Sequence, residues 1–366
     1  METYLVPEFE FESGATIQQA PVRYKTWGEL NDRGDNAIIV CHALTGNPLL
    51  DEWWGGLLGP GKALDTAQYF VVAANVLASP YGSVSPLSIN PATNKPYGGD
   101  FPEATIRDTV ALHKHLLDAL GVSQLAMAIG GSMGGMQVLE WGFYGDYVRA
   151  LVPVAVGGRH SAWCIAWGEA QRQAIYADAN WQGGYYEAGA EPHAGLAAAR
   201  MMAMVSYRSM PSLKTRFGRV RMEKKSARDE ENTAEEKTEM FSIESYLQYQ
   251  GDKLVERFDA NCYVHLTKQM DSHDVSRGRG AYPEVLSRLH QPTLVVGIES
   301  DVLYSLPEQE ELVEFIPNAR LELLPSIHGH DAFLIELTAL NDIVLDWMKD
   351  SVISESRKPT IAVCSQ

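Results

Sequence analysis

Short apolar runs, separated by polar turns and by stretches of helical spacing, set the rhythm of this chain. Ala37-Ile38-Ile39-Val40-Cys41, Tyr69 to Val76, Leu125 to Ile129, Ala150 to Val156 and Thr293 to Ile298 are nearly continuous in apolar residues. That pattern suits strands buried on both faces of a parallel sheet. A further strand is predicted at Arg320 to Leu324. Residues 9 to 30 alternate instead, as in Phe9-Glu10-Phe11-Glu12 and Val22-Arg23-Tyr24-Lys25, and predict antiparallel strands along one side of the sheet. Between the runs, Ile106, Val110, Leu112, Leu116, Leu117 and Leu120 share one side of a predicted helix over 105–120. Helices are also predicted over 133–144, 308–315 and 331–348.

Strands alternating with helices imply an α/β protein with a mostly parallel sheet. One long stretch breaks the alternation. From 158 to 287 the pattern turns to helices rich in Ala, Met, Trp and Tyr, which predicts a helical lid domain inserted into a core made of 1–157 and 288–366. Within it, 214–237 is charged and poor in apolar residues, and is expected to be a mobile, solvated loop.

Composition narrows the partners. The chain has 366 residues, 45% of them hydrophobic, and a net charge of -17 with no long basic tract. A nucleic-acid partner or an anionic membrane surface is therefore not expected, and a small-molecule substrate is. The first residues lack the basic and apolar regions of a signal peptide, and no run approaches a membrane span, so a cytoplasmic location is expected. Cys41, Cys164, Cys262 and Cys364 lack metal-ligand spacing and are expected to be reduced thiols, mostly buried. Asp271-Ser272-His273-Asp274 and His328-Gly329-His330-Asp331 are not four-ligand sets, so no metal is expected.

The chemistry concentrates at Gly130-Gly131-Ser132-Met133-Gly134, a G-x-S-x-G sequence between the apolar run ending at Ile129 and a helical pattern beginning at Met133. Strand, tight turn and helix in this order read as a nucleophile elbow, which strains the serine backbone and exposes its Oγ. The alternative is a glycine-lined turn that only packs a helix onto a sheet. A serine nucleophile needs a base, and the base needs a carboxylate to hold its tautomer. In the α/β-hydrolase fold these follow in the order Ser, Asp or Glu, His, on loops after strands. Asp301 follows the strand ending at Ile298, with Glu299 as its rival; His330 abuts the last helix, with His328 as its rival. The loop His42-Ala43-Leu44-Thr45-Gly46-Asn47 stands where this fold donates one oxyanion amide, the other coming from Met133.

Taken together, His42-Ala43-Leu44-Thr45-Gly46, Gly59-Pro60-Gly61-Lys62, Gly130 to Gln137, His160-Ser161-Ala162, Gln171 to Ile175, Ala199-Arg200-Met201-Met202, Phe258-Asp259-Ala260-Asn261 and Gly329-His330-Asp331 closely resemble the homoserine O-acetyltransferase family. The likeness runs over about residues 9 to 350. It implies that Ser132 carries an acetyl group taken from acetyl-CoA, a co-substrate with no separate cofactor, and passes it to L-homoserine on the path to methionine. His330 would be general base and acid, Asp301 would orient it, and Leu44 and Met133 would offer the oxyanion amides. Arg200 would pair with the acceptor's carboxylate and Asp331 with its ammonium; a helix-surface ion pair is the alternative role for Arg200. A homodimer through the lid is also implied. Relatives on this scaffold take serine as acceptor or succinyl-CoA as donor, and a carboxylesterase would share the triad.

Overall fold

A computed structural model describes residues 1–223 and 239–350. Its strands are β1 Glu2–Glu10, β2 Thr16–Trp27, β3 Ala37–Cys41, β4 Phe70–Ala74, β5 Ile89–Asn90, β6 Lys95–Pro96, β7 Leu125–Gly131, β8 Leu151–Val154, β9 Arg221–Glu223, β10 Glu239–Phe241, β11 Thr293–Gly297 and β12 Ala319–Leu323. Eight of them form one sheet in the order β1-β2-β4-β3-β7-β8-β11-β12, and β5-β6 and β9-β10 are separate antiparallel pairs. In the large sheet, β1 and β2 run antiparallel to their neighbours, and every pairing from β4 through β12 is parallel. β3 is apolar throughout because both its faces are covered: Ala37, Ile39 and Cys41 join the core on one side, Ile38 and Val40 that on the other. Their alternation is the two-residue period of a strand.

The α-helices among the described residues are α1 Leu50–Trp53, α2 Ile106–Ala119, α3 Met133–Trp141, α4 Ala162–Tyr176, α5 His193–Tyr207, α6 Met210–Phe217, α7 Ser242–Val255, α8 Ala260–Asp271, α9 Tyr282–Leu286, α10 Leu306–Phe315, α11 Ala332–Ile335 and α12 Leu337–Asp350. Thr105 and Asp108 cap α2 reciprocally, which stops the helix where its apolar spacing begins. α4 to α9 all lie between β8 and β11, within the stretch where the composition changes.

Two local readings change. The helix expected over 331–348 breaks at Glu336 into α11 and α12. The start of the charged segment is not a loop: residues 214–217 belong to α6, because Ser209 caps that helix and Pro211 stands in its first turn, and 221–223 pair with 239–241. Residues 224–238 lie outside the described residues.

Candidate active site

The elbow is formed by close approach of backbones. Ser132, between β7 and α3, has φ 57° and ψ -124°, a conformation L-residues rarely adopt and that costs of order 1–3 kcal/mol. Its N–H is held by the Val154 carbonyl at 2.9 Å. A Cβ at Gly134 would come 2.0 Å from the Cys41 carbonyl oxygen, one at Gly130 2.6 Å from the same atom, and one at Gly131 2.6 Å from the Phe333 ring. All three positions exclude side chains because β3, α3 and Phe333 converge there.

Asp301 and His330, each on a loop after a strand, meet near the elbow, to which Phe333 links them: its ring closes on Gly131 and lies 5.5 Å from that of His330. His330 Nδ1 donates to Asp301 Oδ2 at 2.7 Å, in a pair almost wholly out of solvent. The other carboxylate oxygen accepts the backbone N–H groups of Leu303 at 2.8 Å and Tyr304 at 3.0 Å. Every Asp301 bond is thus to a donor, and the imidazole keeps its proton on Nδ1. Its Nε2 is buried and makes no hydrogen bond among the described residues, so it offers a free lone pair. Tyr304, Phe333 and Tyr207 surround the imidazole with ring centroids at 5.3, 5.5 and 5.7 Å. The rivals lie elsewhere: Glu299 is exposed, and His328 Nδ1 faces Ser212 Oγ at 3.0 Å.

Met133 is the first residue of α3, where amides have no acceptor within the helix. Leu44 is buried in the loop after β3. His42 stitches that loop in place: Nε2 accepts the Val76 N–H at 3.0 Å and Nδ1 donates to the Ala43 carbonyl at 2.9 Å. Burial pushes this imidazole down to about 4, so it stays neutral. From the inserted helices, the Arg257 guanidinium donates to the Thr45 carbonyl at 3.0 Å and to the Tyr81 hydroxyl.

Arg200 on α5 lies over the Tyr207 ring at 5.6 Å, and the Tyr207 ring in turn is tilted by 43° against that of His330. Arg200 is half-buried, and its charge acts on the Asp331 carboxyl. Asp331 sits 3.1 Å from Arg208 Nε, although that N–H is not well aimed at the carboxylate. Burial pushes the Asp331 carboxyl up, against the opposing pull of Arg208, His330 and Arg200. Arg208 carries no mark in the sequence; it lies just past the end of α5, and only the turn there brings it to Asp331.

Two cavities lie among the inserted helices and share Trp167 and Ser206 in their walls. A cavity of about 20 Å³ is bounded by Leu44 and Leu303 of the core and by Tyr207, Trp167, Gln171 and Met270. Trp167 and Ser206 also line a second, open cavity of about 680 Å³, whose walls are largely apolar and whose rim carries Lys214 and Arg219. Among the described residues, no group of three or more His, Cys, Asp or Glu side chains is placed to hold a metal, and no helix is long and apolar enough to cross a membrane. Cys41, Cys164 and Cys262 are free and buried.

A strained serine at a strand-to-helix turn, near an Asp–His pair on the loops of a largely parallel sheet, defines an α/β-hydrolase-fold enzyme, and the α/β-hydrolase family model matches residues 36–337. A homoserine O-acetyltransferase of Salinibacter ruber is 57% identical over 351 residues, 94% of this chain and 97% of that one. The chain belongs to the homoserine O-acetyltransferase family of acyltransferases. The crystal structure of a homoserine O-acetyltransferase from Bacillus anthracis superposes with a TM-score of 0.85 at 26% identity, covering 95% of this chain and 96% of that one. Esterase E22 is similar too, with a TM-score of 0.82 at 27% identity over 95% and 99% of the two chains.

Proposed function

We propose that the protein transfers an acetyl group from acetyl-CoA to the hydroxyl of L-homoserine by a ping-pong route, in methionine biosynthesis. Ser132 Oγ attacks the thioester carbonyl while His330 Nε2 takes its proton, and the oxyanion is held by the Leu44 and Met133 amides. His330 then protonates the departing thiolate, leaving acetyl-Ser132 and free CoA. The homoserine hydroxyl gives its proton to His330 and attacks the acetyl group, and the proton returns to Ser132. Arg200 holds the acceptor's carboxylate, since a guanidinium suits a two-point carboxylate grip. The oxygen of Asp331 away from Arg208 takes its ammonium.

The observation that carries this reading is the Asp301–His330 pair near the strained Ser132, in a chain 57% identical to a homoserine O-acetyltransferase. Acetyl rather than succinyl as acyl group is supported by the 57% identical relative, a homoserine O-acetyltransferase. The large apolar cavity with its cationic rim suits the pantetheine arm and phosphates of CoA. The inserted helices 158–287 act as a lid over the serine, and two subunits pair through them in the cytoplasm.

The test is CoA release from acetyl-CoA with and without homoserine. Release that requires homoserine supports the reading, with acetyl-Ser132 trapped by mass spectrometry in its absence. Release independent of acceptor would make the protein a hydrolase. Ser132→Ala should lower transfer by several orders of magnitude, because a triad acts as a unit. A monomer in light scattering at micromolar concentration would refute the dimer.

A further inference from the structure

The loop that carries Asp301 is bonded, residue after residue, to the start of the inserted helical segment. The Val302 carbonyl accepts Trp163 Nε1 at 2.8 Å, the Leu303 carbonyl accepts the Cys164 thiol at 3.1 Å, and the Tyr304 hydroxyl meets His160 Nδ1 at 3.0 Å. Trp163 and Cys164 are in the first turn of α4, and His160 stands just before it. Tyr304 is the point where these contacts reach the chemistry. Its backbone N–H donates to Asp301, its ring lies 5.3 Å from that of His330, and the side chain is fully buried.

His160 is anchored in turn. Its N–H is held by the His273 carbonyl at 2.8 Å, and its Nε2 lies 3.7 Å from Asp271 Oδ1. Asp271, at the end of α8, is paired with Arg172 of α4 at 2.7 Å. His160 Nδ1 and the Tyr304 hydroxyl share one buried hydrogen bond, whichever of the two donates. A buried polar path therefore runs from two lid helices to the catalytic carboxylate's loop.

We propose that His160 and Tyr304 are positioning residues, through which the lid holds the Asp301 loop, and with it His330, in register with Ser132. The inference rests on Ser132, Asp301 and His330 acting as one catalytic unit. Neither residue needs to touch substrate for this role. Removing the Tyr304 hydroxyl leaves the ring and the amide in place but cuts the one of the three ties that is made by the residue packed on His330. His330 serves both half-reactions, so a loop set loose slows both alike.

The experiment measures acetyl-CoA and homoserine kinetics, the p-nitrophenol burst from p-nitrophenyl acetate, and thermal midpoints, for Tyr304→Phe, His160→Phe, His160→Asn and the Tyr304→Phe/His160→Phe pair. Displacement of a catalytic group by a fraction of an ångström is expected to lower kcat about ten-fold in Tyr304→Phe, with KM for either substrate unchanged and acylation and deacylation slowed equally. The double variant should be no worse than either Phe variant, since one hydrogen bond is lost in all three. His160→Asn, which keeps an acceptor for the hydroxyl, should recover most of the rate. A Tyr304→Phe enzyme of normal kcat per titrated Ser132, with only a lower thermal midpoint, would overturn the proposal and leave the contact structural. A wild-type protein that gives no burst at all would instead overturn the reading of the triad itself.

Discussion

Asp301→Asn tests the site most sharply, because the structure dictates which way the new amide must face. In the native protein one carboxylate oxygen accepts two backbone N–H groups, from Leu303 and Tyr304, and the other accepts His330 Nδ1–H. An asparagine has one acceptor and one donor. Its oxygen must stay with the two amides, since turning the NH2 group toward them would leave three buried donors facing one another, at about 1–3 kcal/mol for each unmet group. The NH2 therefore faces His330 Nδ1, which becomes the acceptor, and the imidazole proton moves to Nε2. That nitrogen can then no longer take the Ser132 proton. Loss of the right tautomer in a serine triad lowers kcat by about 10⁴, which is about 5.4 kcal/mol in the barrier. The side chain keeps its volume and its amide bonds, so the fold should persist. The assay is CoA release at saturating acetyl-CoA and homoserine, with a thermal melt alongside. A correctly folded Asp301→Asn protein within ten-fold of native kcat would refute the assignment of His330 as the base.

Arg200→Ala should raise the KM for homoserine about 30-fold or more, since loss of a charged partner to a bound ion costs roughly 2–5 kcal/mol, while acetylation of Ser132 stays near normal in a burst assay; a block in acylation with unchanged homoserine saturation would move Arg200 out of the acceptor site. Gly134→Ala forces a Cβ to 2.0 Å from the Cys41 carbonyl, so β3 and α3 must part, and urea unfolding should show a loss of about 1–3 kcal/mol or more; a native midpoint would show that the elbow is looser than drawn. Burial pushes His42, His113 and His265 down to about 4, whereas unfolded imidazoles protonate near 6.5. The unfolded chain then binds protons that the folded one refuses. Stability should hold above about pH 6.5 and fall as the pH drops toward 4, and a flat stability across that window, read from urea midpoints, would contradict it.

Sequence by itself was enough wherever the physics is local. The buried strands announce themselves as apolar runs because both faces of β3, β7, β8 and β11 are covered, and no polar position interrupts a doubly buried strand. The elbow is legible because three chains converge on the glycines beside Ser132, and such crowding leaves no other residue type open. Order along the chain also led to Asp301 and His330, since the fold sets them on successive strand ends. It did not separate His330 from His328, two residues apart on one turn; the curvature of that turn points one ring at Asp301 and the other at Ser212.

What remained hidden depends on contacts between residues far apart in the chain. Arg208 meets Asp331, Arg257 meets Thr45, and Tyr304 meets His160 across 144 positions, and Arg208, Arg257 and Tyr304 carry no periodic or motif signature. A side chain's role there follows from what folding brings against it. The run 214–217 shows the same limit at short range: its charges read as a solvated loop, but a capping serine at Ser209 and a proline in the first turn make it helix, with the charges on the exposed side. Charge reports only that a face meets water, whereas the cap and the packing of the turn decide the backbone that presents it.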